Sequence, residues 1–317
     1  MGLPVTVYRW DDVGAPQLSA QPKPSEVIAV LKACLVNGYG TKAPLGWSIA
    51  FEDVATNKIA FRNSTVEGSG GFVQYWSSNG GDAGNTPIYL KTASAMTALD
   101  NFTHPSVTFA HYNVTTTSQW VIIGTSISYY AIPRYESHNL NYLNSAQYEI
   151  TYMVGDLDSN YINDVTRFSL FSCTTSTDQL SPNYSHSLAF SGSSSCSPMY
   201  GVDGSTKLNS HTIDYGSGGS ASVTNLNDTL ELTGVNPVLI PVVVRTTSPS
   251  HLDVDGIKCV LSNKNPYFRG TVAGLYSIAF CGYGDSQWPT IKTWNGQDYM
   301  LLRGYYNCTW VNITEWY

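Results

Sequence analysis

Charge is what this 317-residue chain has least of. Lys, Arg, Asp and Glu make up 12 % of it, about half the ~25 % of an ordinary soluble domain. The 16 basic and 23 acidic residues leave a formal charge of −7, and the basic ones nowhere cluster. A nucleic-acid grip needs grouped Lys and Arg to displace counterions, so no nucleic-acid partner is expected. Long apolar runs are missing too. The most apolar stretch, Pro237 to Val244, has the length of a strand, well short of the ~20 residues that span a bilayer, and no membrane segment is expected. The N-terminus has no basic region followed by an apolar one, so no secretory signal is read there. MGLPVT formally fits an N-myristoylation pattern through Gly2 and Thr6, but Pro4 followed by VTVY suits the start of an ordinary strand.

Chemistry-bearing patterns are equally sparse. The six cysteines, Cys34, Cys173, Cys196, Cys259, Cys281 and Cys308, form no C-x-x-C pair, which argues against a zinc knuckle or a redox pair. Their scatter suits buried free thiols made in a reducing cytoplasm, and spacing alone does not pair them. There is no G-x-S-x-G elbow, no H-E-x-x-H and no phosphate-cradling loop. The six histidines, His104, His111, His138, His186, His211 and His251, are dispersed and read as exposed loop residues. Asp11-Asp12 and Glu52-Asp53 are adjacent pairs that point to opposite faces of a strand and read as solvated turn carboxylates. N-x-S/T triplets start at Asn63, Asn101, Asn113, Asn183, Asn227, Asn307 and Asn312; in a chain this rich in Asn, Ser and Thr they read as strand-end polar residues. No catalytic residue, cofactor or metal site is therefore assigned. The nearest approach to a metal site is Gly155–Asn160, where Asp156, Asp158 and Asn160 put oxygens at alternate positions with Asp164 beyond. Tyr161 stands where a calcium loop needs Gly and the closing Glu is absent, so a hydrogen-bonded turn competes with a loose Ca²⁺ site.

What the chain has is strand and aromatic. Short runs such as VTVYRW, GWSIAFED, KIAFRN, GFVQYW, QWVIIGTSISYYAI, QYEITYMV and VLIPVVVR are rich in β-branched and aromatic residues and end at Gly, Asn, Asp or Pro. Asn79-Gly80-Gly81 and Asn295-Gly296 are the best hairpin turns, because Asn and Gly accept positive φ. One segment has helical spacing: in SEVIAVLKACLVNGYG, Val27, Ile28, Leu31, Cys34 and Leu35 recur on one face. Ser25 is placed to cap it, Glu26 to complement its positive end and Asn37-Gly38 to stop it. The expected fold is mainly β, with antiparallel sandwich-like domains and one N-terminal amphipathic helix over about residues 25–37. PRYESHNLN interrupts the strand pattern, which divides the chain into an N-terminal α+β domain, 1–135, and a C-terminal β-rich domain, 136–317. The Ser/Gly-rich stretch 185–222 reads as loops between strands, since Phe190, Tyr200, Ile213 and Tyr215 interleave it. The 22 tyrosines crowd towards the C-terminal end with tryptophan: Tyr299, Tyr305, Tyr306, Trp310, Trp316 and Tyr317. Such residues suit the centre of an interface or a core-facing ladder, and alternate positions on one strand serve both.

These strings also carry a resemblance. VTVYRWDDVGAP, PSEVIAVLKACLVNGYGTKAPLGWSIAFED and KIAFRNSTVEGSGGFVQYW at the N-terminal end, TYMVGDLDS in the middle, and GTVAGLYSIAF, KTWNGQDYMLL and VNITEWY at the end touch most of the chain. Together they resemble a family of tailed-phage and prophage virion structural proteins. The resemblance implies a particle component repeated by symmetry, made in the host cytoplasm and housed in the virion. Its partners would be other virion proteins and copies of itself. Tail or baseplate placement is favoured over capsid decoration by analogy with mixed β-domains carrying one helix. It implies no activity, and no catalytic or ligand residue is carried over. Two other readings stand beside it: a module that binds host-surface glycans through exposed Tyr and Trp, and a cell-envelope or polysaccharide hydrolase built from converging acids or histidines.

Overall fold

The computed structural model describes residues 2–111, 118–133, 151–172, 177–181, 186–188, 196–204, 209–215, 238–246, 267–278, 288–303 and 308–316. It is mainly β, and every pairing between its named strands is antiparallel. One helix stands near the N-terminus, α-helical over Pro24–Lys32 and closing in a wider π turn over Ala33–Asn37. Its buried face carries Val27, Ile28, Leu31, Cys34 and Leu35, the spacing read from sequence. Gly38 ends it with φ +73, and its N–H returns to the Ala33 carbonyl. The start differs from expectation. Lys23 is the cap and Pro24 the first helical residue, a position that Pro favours because its missing N–H is not needed there. Ser25 thus lies inside the first turn, where its N–H and hydroxyl donate to Asp82 at 2.8 and 2.7 Å.

Three sheets stack around two cores. The first takes the strands Ser48–Asp53, Lys58–Arg62, Phe72–Ser77, Ile88–Ala93 and Phe109–His111, in that order. The middle sheet runs Phe168–Phe171, Tyr152–Asp156, Ser128–Pro133, Trp120–Gly124, Thr6–Arg9. The third centres on the long strand Phe268–Ile278 and includes Leu239–Thr246, Gln297–Arg303 and Cys308–Asn312. Side chains alternate across a strand, and the middle sheet uses both of its faces. Trp120, Ile122, Tyr129, Tyr152 and Val154 join the helix and the first sheet in one core, with Phe61, Tyr75 and Leu90. Val121, Ile123, Tyr130, Ile132 and Met153 join the third sheet in the other, with Val244, Leu275 and Met300. Among the described residues Asn295-Gly296 makes a two-residue turn with φ +50 and +76 between the paired Trp294 and Gln297.

The expected boundary at 135/136 falls inside this arrangement. Ser128–Pro133 pairs directly with Tyr152–Asp156, so the middle sheet takes strands from both sides of it. Leu3 and Pro4 also pair with Trp316 and Glu315, joining the two ends of the chain. Within the Ser/Gly-rich stretch, Cys196–Met199 and Asn209–Asp214 are strands, and Ile213 and Tyr215 are buried in the second core; Phe190 lies outside the described residues.

Candidate functional site

The acidic segment with calcium-like spacing is drawn apart by its partners. Asp158 lies on an exposed strand beside Thr271, and Asn160 is exposed. Asp156 is buried and turns to the 63–71 loop, accepting from the Ser69 N–H at 2.7 Å and the Ser69 hydroxyl at 2.5 Å, with Arg167 Nε at 3.3 Å. Burial raises its pKa, against these opposing contacts. Asp164 is fully buried against the equally buried Arg269. Arg269 Nε and Nη2 donate to its two oxygens at 2.8 and 2.6 Å, Nη2 also to Thr166 Oγ1 at 2.7 Å, and Nη1 to the Tyr200 carbonyl. This two-pronged geometry is the strong form of ion pair. The four oxygens do not converge, and among the described residues no three His, Cys, Asp or Glu side chains do. The carboxylates instead fasten loops to strands, a role set by Arg269, which stands 105 residues from Asp164.

Of the six C-terminal aromatics, Tyr299, Trp310 and Trp316 are buried within the chain itself. Trp310 and Tyr299 pack with Trp294 on the far face of the third sheet, and Trp316 packs edge-on to Tyr130 at 5.4 Å. Tyr305, Tyr306 and Tyr317 lie outside the described residues. The half-exposed aromatic pair is elsewhere: Trp76 and Tyr89, cross-strand neighbours on the first sheet with ring centroids 5.9 Å apart.

The histidines correct the sequence reading. His104 sits in a turn, its Nδ1 2.9 Å from Ser94 Oγ and its ring 5.0 Å from that of Tyr200. His111 and His211 are buried on strands rather than exposed in loops, because strand alternation turns them inward. His138 and His251 lie outside the described residues. His111 ends a buried polar chain across the first core. Its Nδ1 is 2.6 Å from the Tyr152 hydroxyl, which is 3.2 Å from that of Tyr75, itself 2.5 Å from that of Tyr129. Burial holds His111 down to about 4, so the ring is neutral at pH 7, and burial pushes all three phenols well above their usual range.

Counting protons fixes the direction of this chain. Three hydroxyls carry three protons, and three hydrogen bonds use all of them when Tyr129 donates to Tyr75, Tyr75 to Tyr152 and Tyr152 to Nδ1. A proton on Nδ1 would make four for three bonds and strand one, at roughly 1–3 kcal/mol for an unsatisfied buried donor. Nδ1 is therefore the bare nitrogen, and the ring proton sits on Nε2. His111 also lines a pocket of about 500 Å³, its open mouth included, between the helix and the middle sheet. Val27, Val30 and Leu31 wall one side and Trp120, Ile122 and Ala131 the other. Sequence reasoning missed this site. Tyr152, Tyr75 and His111 sit on three strands whose pairing and stacking no local pattern encodes.

Compared with known proteins, the chain matches no protein-family model and no curated protein.

Proposed function

We propose that this chain is a structural subunit of a tailed-phage particle, in the tail or baseplate, that works through contacts with other virion proteins and with copies of itself. The observation that carries the reading is how the chain uses its few charges. Asp164 with Arg269 and Asp156 with Arg167 tie loops to strands inside the fold, while Asp12 with Lys42 and Glu52 with Lys32 brace its edge. The remaining surface is dominated by neutral polar side chains, with apolar ones such as Val13, Val66 and Ile162 standing out singly. Such a surface repels its neighbours weakly and suits packing in a repeated assembly. The resemblance of the N- and C-terminal strings to phage virion proteins supports the same reading.

The test is composition of purified particles by quantitative mass spectrometry, with the density located by electron microscopy. A tail or baseplate subunit occurs in a small multiple of the tail's rotational symmetry. A copy number matching the capsid lattice would move it to the shell as a decoration protein, and absence from washed particles would overturn the proposal.

A further inference from the structure

The tyrosine chain does more than fill the core: it leaves His111 with a fixed polarity. With Nδ1 accepting from Tyr152, the donor is Nε2–H, and His111 has no other hydrogen bond among the described residues. The ring borders the pocket between helix and middle sheet, whose walls are otherwise almost wholly hydrocarbon. A donor held at an apolar wall is satisfied only by an acceptor brought in from outside, and concave apolar sites with one placed polar group are the common form of small-molecule site. An anion does not suit it, since burial keeps the ring uncharged and no cationic side chain lines the pocket.

We propose that this pocket binds a small uncharged apolar molecule carrying one acceptor oxygen, such as a ketone or ester carbonyl, with the oxygen on His111 Nε2 and the hydrocarbon between Leu31 and Trp120. Tyr152 is a positioning residue: it touches no ligand but decides which nitrogen bears the proton. Tyr75 and Tyr129 hold Tyr152 in that role.

Cyclohexanone and cyclohexane are a matched pair of probes, alike in shape and differing in the acceptor. Titrated into the full chain and followed by nitrogen NMR of the histidine side chains, cyclohexanone should shift the His111 Nε2 resonance and bind about fivefold tighter than cyclohexane, the ordinary net effect of one hydrogen bond. His111→Phe should remove that preference and leave cyclohexane binding in place. Tyr152→Phe serves if the first variant does not fold: the hydroxyl is lost, the proton is no longer confined to Nε2, and the ketone preference should shrink with cyclohexane unaffected. Equal binding of the two probes, binding of neither, or a ketone preference that survives both substitutions would overturn the proposal.

Discussion

Arg269 and Asp164 are each 0 % exposed as side chains and answer one another's charge. Removing one partner strands the other in the core, so Arg269→Met should lower stability by about 3–5 kcal/mol. Adding Asp164→Leu should recover most of the loss, because replacing both members of a buried pair by apolar side chains is often neutral. Urea midpoints of the two variants and the parent decide it; a single variant within about 1 kcal/mol of the parent would mean the carboxylate finds water. His111 gives a pH signature. Its folded pKa is about 4 against an ordinary 6.5, so between those values the unfolded chain binds the extra proton. Stability from this group is fully present above pH ~6.5 and is lost as pH falls through ~4, about 3 kcal/mol in all. His111→Phe should flatten that limb of the stability–pH curve; an unchanged slope between pH 6.5 and 4 would assign it to other groups.

At the scale of elements, the helix was the most legible part of the chain. Its apolar residues recur at helical spacing within fourteen positions, and Asn37-Gly38 marks its end, so the signal is local and the burial of Leu31 and Cys34 follows from it. Leu31→Ala should cost ~2–5 kcal/mol in chemical denaturation through the cavity it leaves, and a loss below about 0.5 kcal/mol would show that Leu31 does not anchor the helix. The same variant widens the pocket that Leu31 lines. Where the helix reading slipped, at Ser25, the competing signal was also in the sequence: Pro24 favours the first helical position and shifts the cap to Lys23. The destination of the Ser25 hydroxyl was not, for Asp82 lies 57 residues on. The middle-sheet strands show a further signal. WVIIG and SYYAIP are buried at every position, and an unbroken apolar run is the mark of a strand covered on both faces.

For the whole molecule, that doubly covered sheet decides cooperativity. Residues 1–135 taken alone would lose Tyr152–Asp156 and Phe168–Phe171 from the middle sheet, and Tyr152, Val154, Phe168 and Leu170 from the first core. The strand Ser128–Pro133 would then present an unpaired edge and a bare apolar face. Expressed separately, that fragment should show no dispersed amide NMR spectrum and should aggregate through the exposed strand. A well-dispersed, cooperatively melting fragment would show instead that the N-terminal half is a domain in its own right. The pairing of Leu3 with Trp316 and the burial of Trp316 beside Tyr130 point the same way, since they close the two ends onto one body.

The sequence by itself determined the class of fold, the single helix and its buried face, the Asn295-Gly296 hairpin and the weakness of charge. Each is a property of neighbouring residues, because periodicity, turn conformation and composition act over a few positions of chain. Only the tertiary structure decided that one sheet serves two cores, that Asp164 faces Arg269 rather than Asp156, and that His111 meets Tyr152 at the end of a tyrosine chain. Those facts depend on which strands pair and stack across separations of 41 to 105 residues. Alternation tells a strand which face is apolar, but it does not tell the strand which neighbour it will find there.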